Sequence, residues 1–466
     1  MFALWFASGA VLLFEPFPSL PKAEGQALGR TIDQAAVVLT PVQALAAAGG
    51  GTAVRLRQRG DAPAYIVAGG AHPVVIDASN GRRMPLLSPQ AAASVFGPGL
   101  PARGASVVGP FGYDQWVVHN QFDALRPFYR VDLADPVGTQ IYVSARTGDI
   151  VQRTTRWQRG WNWVGAVLHW AYVTPLRSSF AVWDRTVWIV SFVAMLVADA
   201  GMILGIVRML AVRRARRPGL TFYRQRWMRW HHLVGLFAGI FVLTWILSGW
   251  LSMDHGRLFS RGQPTDAQVA RYSGLPANVA AASVDGALLR RLPPANEIAI
   301  TSVADVPLLA ITDQNGKSGL LTIAGVPVAP AKADELIAKG LGRAWGTPPA
   351  LSGVSVPLDD FYSLAEGLPP SARRFAGADA RPPVYVDGGT GNILVVMSTS
   401  RAAYAWIYYA LHSFNFPGVA RHQVLRDILV LIPLTAGFLF SITGVVLGWQ
   451  RLRKSTVPAK SKEITR

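Results

Sequence analysis

Cysteine is absent from all 466 residues. That excludes disulfides, thiolate metal sites, iron–sulfur clusters and a cysteine nucleophile. Compact metal-binding spacings are missing too. No H-x-x-x-H and no H-E-x-x-H occurs, although zinc sites usually take three or four ligands at short spacing. No G-x-G-x-x-G follows a strand-like run, and no G-x-x-x-x-G-K-[ST] is present, so the chain has no obvious nucleotide site of its own.

What the chain has in excess is apolar length and positive charge. Its residues are 51% hydrophobic and its net charge is +18. Three runs, 187–210, 233–253 and 428–449, reach or approach the roughly 20 apolar residues that cross a bilayer. A fourth, FALWFASGAVLLF at 2–14, is short for a span. Eight arginines lie between positions 208 and 229: Arg208, Arg213, Arg214, Arg216, Arg217, Arg224, Arg226 and Arg229. Arg451, Arg453, Lys454, Lys460, Lys462 and Arg466 follow the last run. Basic residues stay on the cytoplasmic side of membrane helices. The charge therefore reads as topology, not as a nucleic-acid surface.

The expected fold class is an integral membrane α-helical bundle: four transmembrane helices as two tandem repeats, short interfacial helices, and two α+β external domains. Transmembrane helices are expected over 1–14, 184–211, 230–253 and 425–450. External domains fill 15–160 and 254–402, and interfacial helices follow them at 161–174 and 403–414. A cytoplasmic loop occupies 212–229 and a cytoplasmic tail 451–466. Trp157, Trp161, Trp163, Trp170, Trp183 and Trp188 mark one interface, and Trp227 and Trp230 the other.

The halves repeat. AVLHW (166–170) resembles YALHS (409–413), and His169 and His412 each precede a glycine, Gly201 or Gly444, by 32 residues. AGMILG (200–205) then falls on TGVVLG (443–448), and WFASG (5–9) falls on WILSG (245–249) at an offset of 240. By that offset the counterpart of His231 lies ten residues before Met1. A shortened first helix is the expectation. Within the loops, RVDLADPVGTQIYVSARTGDIV (130–151) and RPPVYVDGGTGNILVV (381–396) read as matching hairpins. AYIVAGGAHPVVIDASNGRRM (64–84) and LLAITDQNGKSGLL (308–321) are further versions, giving two small modules per loop.

These segments resemble the PepSY-associated transmembrane family. HHLVGLFAGIFVLTWILSGWL is similar to its "HRWLGL … TG" helix, the paired LH helices to its second signature, and the YVSARTGDIV and YVDGGTGNIL hairpins to PepSY repeats. His232 stands where the family usually has arginine. The resemblance implies PepSY-like external domains. It also implies a cell inner-membrane haem protein that reduces ferric siderophores, with both termini cytoplasmic and its large domains periplasmic.

The repeat pairs His169 with His412. Two halves packed about a pseudo-two-fold axis bring such a pair together, and facing imidazoles in a helical bundle ligate haem iron axially. His231 occupies the family's histidine position, four before Gly235, and is assigned as the ligand of a second haem b near the cytoplasmic face. Adjacent helix positions are about 100° apart, so His232 faces elsewhere, toward a haem propionate or a lipid headgroup. His255 and His422 border the external surface, while His72 and His119 have no repeat partner. Arg177, Arg257, Arg261 and Arg421 are candidates to attract an anionic chelate. The expected partners are the lipid bilayer, a ferric siderophore or similar chelate, and an electron donor that is a quinol, a flavin or a protein. The expected activity passes electrons outward across the membrane and needs no acid–base catalyst. Two other functions fit less of the pattern: a membrane-anchored PepSY protein that binds a protease, and a haem or iron-chelate transport component without redox activity.

Overall fold

A computed structural model describes residues 1–97, 100, 104–346, 353–376 and 383–456. The tail residues Lys460, Lys462 and Arg466 lie outside the described residues. Four apolar helices form the bundle: α1 (Phe2–Phe14), α2 (Phe180–Arg214), α3 (Arg226–Ser252) and α4 (Gln423–Thr456). Three of them, α2, α3 and α4, are long and apolar enough to cross a membrane. At about 1.5 Å per residue the 13 residues of α1 reach roughly 20 Å, short of a 30 Å hydrocarbon core. The helices pack side by side in the order α1, α4, α3, α2. Outward residues of α2 and α4, such as Ile203, Val197, Ile432 and Val445, are more than half exposed and apolar, as a lipid-facing surface requires. The protein is thus a mixed α+β membrane protein.

Among the described residues the loops after α1 and α3 build three antiparallel sheets. Strands β1 (Ala53–Arg59), β2 (Ala62–Ala68) and β3 (Val74–Asp77) come from the first loop. Strands β8 (Glu297–Val303), β9 (Val306–Thr312) and β10 (Ser318–Thr322) come from the second. All six join in one sheet of order β10-β9-β8-β1-β2-β3. The two loops therefore share a sheet, with β1 and β8 paired antiparallel at its centre. Leu56, Tyr65, Ile76, Leu289, Ile298 and Leu309 close its core. Sequence alternation marks the inner face of each strand, but it does not say which chain segment lies alongside.

Each loop also keeps a four-stranded sheet of its own. The first is β4 (Ser106–Phe111), β5 (Phe128–Asp132), β6 (Gln140–Ser144) and β7 (Ile150–Thr154). The second is β11 (Val354–Ser355), β12 (Ala372–Phe375), β13 (Val384–Asp387) and β14 (Ile393–Val396). Their last hairpins turn at Gly148 and Gly391, with φ of 74° and 73°, a left-handed conformation that glycine takes without steric cost.

The last strand of each sheet leads straight into a histidine-bearing helix. Thr155 caps Arg156–Asn162 and Ser398 caps Thr399–Ala405, each hydroxyl accepting a backbone N–H three residues on. Both helices then widen into π-turns, Trp163–Val167 and Trp406–His412. Both end at a strained residue, Ala171 at φ 52° and Phe414 at φ 57°. Each of these pairs is separated by 243 positions, the spacing of His169 and His412. Repeated π-turns and left-handed non-glycine residues are characteristic of functional sites.

Candidate haem-ligating histidines

The two histidine helices meet inside the sheet-bearing end of the bundle. The His169 and His412 rings lie 6.4 Å apart between centres, at 61° to one another. Two imidazole nitrogens each about 2 Å from one metal ion put the ring centres roughly 6 Å apart. Both rings are half-buried. Tyr408 stacks on His412 at 6.0 Å.

Each imidazole is held by a serine on a different helix. Ser8 Oγ lies 3.1 Å from His169 Nδ1, and Ser248 Oγ lies 3.0 Å from His412 Nδ1. A hydroxyl has one hydrogen to donate. Ser8 gives its hydrogen to the Leu4 carbonyl at 2.6 Å, and Ser248 gives its own to the Trp245 carbonyl at 3.2 Å. With the hydroxyl hydrogens on those carbonyls, each serine accepts from Nδ1–H and the lone pair of each imidazole lies on Nε2. That is the tautomer a metal needs, fixed by an outer hydrogen bond.

The next residue is glycine in both cases. A Cβ on Gly9 would sit 3.5 Å from His169 Cε1, and one on Gly249 would sit 3.0 Å from His412 Cε1. The Ser-Gly step thus supplies an acceptor for Nδ1 and keeps side-chain atoms off the ring edge.

The same device recurs at the arginine-rich end. His231 Nδ1 is 2.9 Å from Thr443 Oγ1, which donates to the Phe440 carbonyl at 2.6 Å. A Cβ on Gly444 would lie 3.4 Å from His231 Cε1, and Phe440 stacks on the ring at 4.5 Å. The fourth place in the repeat is Ala200-Gly201, where a Cβ would meet nothing within 4 Å. His231 and Ser248 are 17 residues apart on α3, so the two sites are about 25 Å apart along the helix axis.

His232 turns to the other side of α3. Its Nε2 donates to the Gly205 carbonyl on α2 at 2.9 Å, and Tyr223 meets its ring edge-on at 5.5 Å. His422 is exposed. His255 pairs with Asp184. His119 accepts the Gln121 backbone N–H at 3.1 Å, and burial with Arg177 nearby lowers its pKa to about 4. Arg177 is 1% exposed. It bonds Asn120 at 3.0 Å and lies against the Tyr172, Phe180 and Trp183 rings, so it is a packing residue and not one offered to a chelate. Arg257 and Arg261 are exposed, and Arg421 faces Asp359 at 3.7 Å.

The donor set discriminates between metals. Among the described residues no group of three or more His, Cys, Asp or Glu side chains comes together. A bare zinc ion takes three or four protein ligands. Two opposed imidazoles suit a metal that brings its own equatorial ligands, as haem iron does. Those residues fit a bis-imidazole haem. A cleft of about 620 Å³ lined by Val137, Arg156, Trp157 and Trp161 takes no histidine in its lining.

The hydroxyls were legible only as repetition. ASG, LSG and TG stand out in the aligned halves, yet nothing in their spacing assigns Ser8, Ser248 or Thr443 to a particular ring. Outer partners of ligating histidines typically contribute 10–100-fold to metal affinity. Ser248→Ala is expected to weaken haem binding by about that factor and to shift the reduction potential of the outer site. Ser248→Thr should restore both, and a haem titration with redox potentiometry checks it. No family model, curated protein or solved structure matches the chain.

Proposed function

We propose that the protein is a haem-containing oxidoreductase of the inner membrane that passes electrons outward to a ferric chelate, such as a ferric siderophore. The observation that carries this reading is the close pair His169 and His412, each with its Nδ1 against a serine hydroxyl. A haem b held there supplies a one-electron carrier, whose potential the protein tunes through ligands and burial.

The chain's own residues bind and orient. Ser8 and Ser248 fix the ring tautomers, while Gly9 and Gly249 keep the ring edges clear. His231, held by Thr443, offers one ligand to a second haem near the arginine-rich face. Basic residues favour the cytoplasmic side, which supports cytoplasmic termini and external sheets. The separation of about 25 Å along α3 covers most of a 30 Å core, so two centres suffice as stepping stones. His232, bonded to Gly205, steadies α2 against α3 beside the inner centre. At the external face the exposed Arg257 and Arg261 attract an anionic chelate. Oxygen-rich chelators prefer the harder ferric ion, so reduction loosens their grip.

A visible spectrum of the detergent-purified protein tests the reading. A Soret band with sharp α and β bands after dithionite is the expected result. A protein colourless after haem reconstitution overturns it.

A further inference from the structure

The 620 Å³ cleft lies between the turn at Pro136 and Val137 and the helix that carries Arg156, Trp157, Trp161 and Val164. Its volume falls within the roughly 300–1,000 Å³ of small-molecule sites. The lining is mostly apolar, with one charged group, the Arg156 guanidinium. Among the described residues that guanidinium has no hydrogen-bond or ion-pair partner. It lies against Gly138, where a Cβ would sit 3.2 Å from both Arg156 Nε and Nη2. The Arg156 backbone N–H donates to the Val137 carbonyl at 3.0 Å and holds the turn beside it.

The cleft stands at the lipid level of the sheet-bearing end. Trp157 Nε1 donates to Glu15 Oε2 at 3.1 Å, which ties the indole to the end of α1. The Trp157 and Trp161 rings are 5.7 Å apart at 62°. Indoles with an apolar body and a polar edge settle where hydrocarbon meets headgroups. Trp157, Trp161, Val164 and Leu168 are all exposed. They fall at i, i+4, i+7 and i+11, one apolar face of the histidine helix. Beside it α1 presents Leu4, Ala7 and Phe14, exposed on one face of its own. The two helices touch at Gly165, where a Cβ would lie 3.0 Å from Val11 Cγ1. The apolar floor of the cleft therefore continues into the surface that lipid chains cover.

The repeat shows that this place calls for an occupant. At the offset of 243, Trp157 corresponds to Ser400 and Trp161 to Tyr404. In that copy the chain after α3 covers both. Phe259 packs on Tyr404 at 5.6 Å, and Ser400 Oγ accepts the Ser260 backbone N–H at 3.0 Å. In the first copy the chain after α1 turns inward instead. Phe17 packs on Trp116 and Trp170 at 5.8 and 6.0 Å, and the cleft stays open.

An occupant must set an anion on Arg156 and apolar chains along the indoles and Val164. We propose that this cleft holds one phospholipid, its phosphate paired with Arg156 and its upper acyl chains lying on Trp157, Trp161 and Val164. A guanidinium binds phosphate oxygens through paired N–H donors. The lipid ties the first external sheet to the membrane surface beside the helix that carries His169. The site uses no group of the histidine pair, so it stands independently of the haem reading.

Native mass spectrometry of the full chain in detergent, with added phosphatidylethanolamine, tests this. One tightly retained lipid per chain is expected. Arg156→Ala should weaken retention about tenfold, the loss of a hydrogen bond to a charged group. Arg156→Lys should recover part of it. Trp157→Ala combined with Trp161→Ala should weaken it at least as much as Arg156→Ala. Arg185→Ala, which removes an exposed arginine at the start of α2 outside the cleft, should leave it unchanged. Dioleoylglycerol, which lacks the phosphate, and inorganic phosphate alone should not compete. Wild-type protein that retains no lipid, or an Arg156→Ala protein that retains it equally, overturns the site and leaves only ordinary boundary lipid. Displacement of the lipid by inorganic phosphate overturns it as well. So do dimers that vanish in the double tryptophan variant, which would place a second copy of the chain in the cleft.

Discussion

Replacing His412 with alanine is expected to strip the outer haem from the protein while leaving the bundle folded. On the proposed reading the ring supplies one of two axial nitrogens, so its loss exceeds that of an outer partner. Haem affinity at this site should fall by more than about a hundredfold. The backbone is spared, because Trp245 Nε1 donates to the carbonyl of His412 at 2.9 Å and not to its ring. His169→Ala should give the same result, since each ring is half of one site. His231→Ala should leave the outer haem in place, because its hydroxyl partner and its stacking ring are both on α4 near the other end. Haem-to-protein ratios from the pyridine haemochrome assay decide this. A His412→Ala protein with full haem content and an unaltered reduced spectrum sinks the pairing.

The second large effect concerns the joint between the two loops. Arg55 and Arg57 on β1 meet Asp149 at the β6–β7 turn, and Arg55 also meets Glu297 on β8. Gln26 donates to Glu297 at 2.8 Å, and Thr147 donates to Asp149 at 2.6 Å. The Arg57 and Glu297 side chains are 5% exposed and Asp149 15%. Asp149→Ala leaves two guanidinium groups in a low-dielectric site with one carboxylate between them. Breaking a buried pair from one side costs about 3–5 kcal/mol, a large share of the 5–15 kcal/mol that keeps a domain folded. A melt followed by circular dichroism should show this loss, and an unchanged Tm refutes it.

The same network gives a pH dependence. Burial alone would raise the Asp149 and Glu297 carboxyls, but Arg55 and Arg57 outweigh it and hold both below the usual carboxylate range. A carboxyl with a depressed folded pKa contributes stability above its unfolded value of about 4 and loses it as pH falls below that. The Tm of the wild-type protein should therefore drop on acidification from about pH 5 downward. Asp149→Ala should flatten part of that slope.

The sequence by itself determined the three long apolar helices, the hairpins and the pairing of the two LH segments. Each is written in local periodicity or in spacing: about twenty apolar residues for α3, Thr-Gly at the 147–148 and 390–391 turns, and 32 residues between each histidine and its glycine. Local signals carry no address for a distant partner. Only the tertiary structure decided that β1 lies beside β8, which merges the two loops into one six-stranded sheet. It also decided that Ser8 and Ser248 lie against Nδ1 of His169 and His412, that Arg177 is packed away, and that Asp184 meets His255. Those are contacts between residues 71 or more positions apart in the hydrogen-bonded cases. Short-range geometry at that separation depends on how the helices pack, and packing depends on the whole chain.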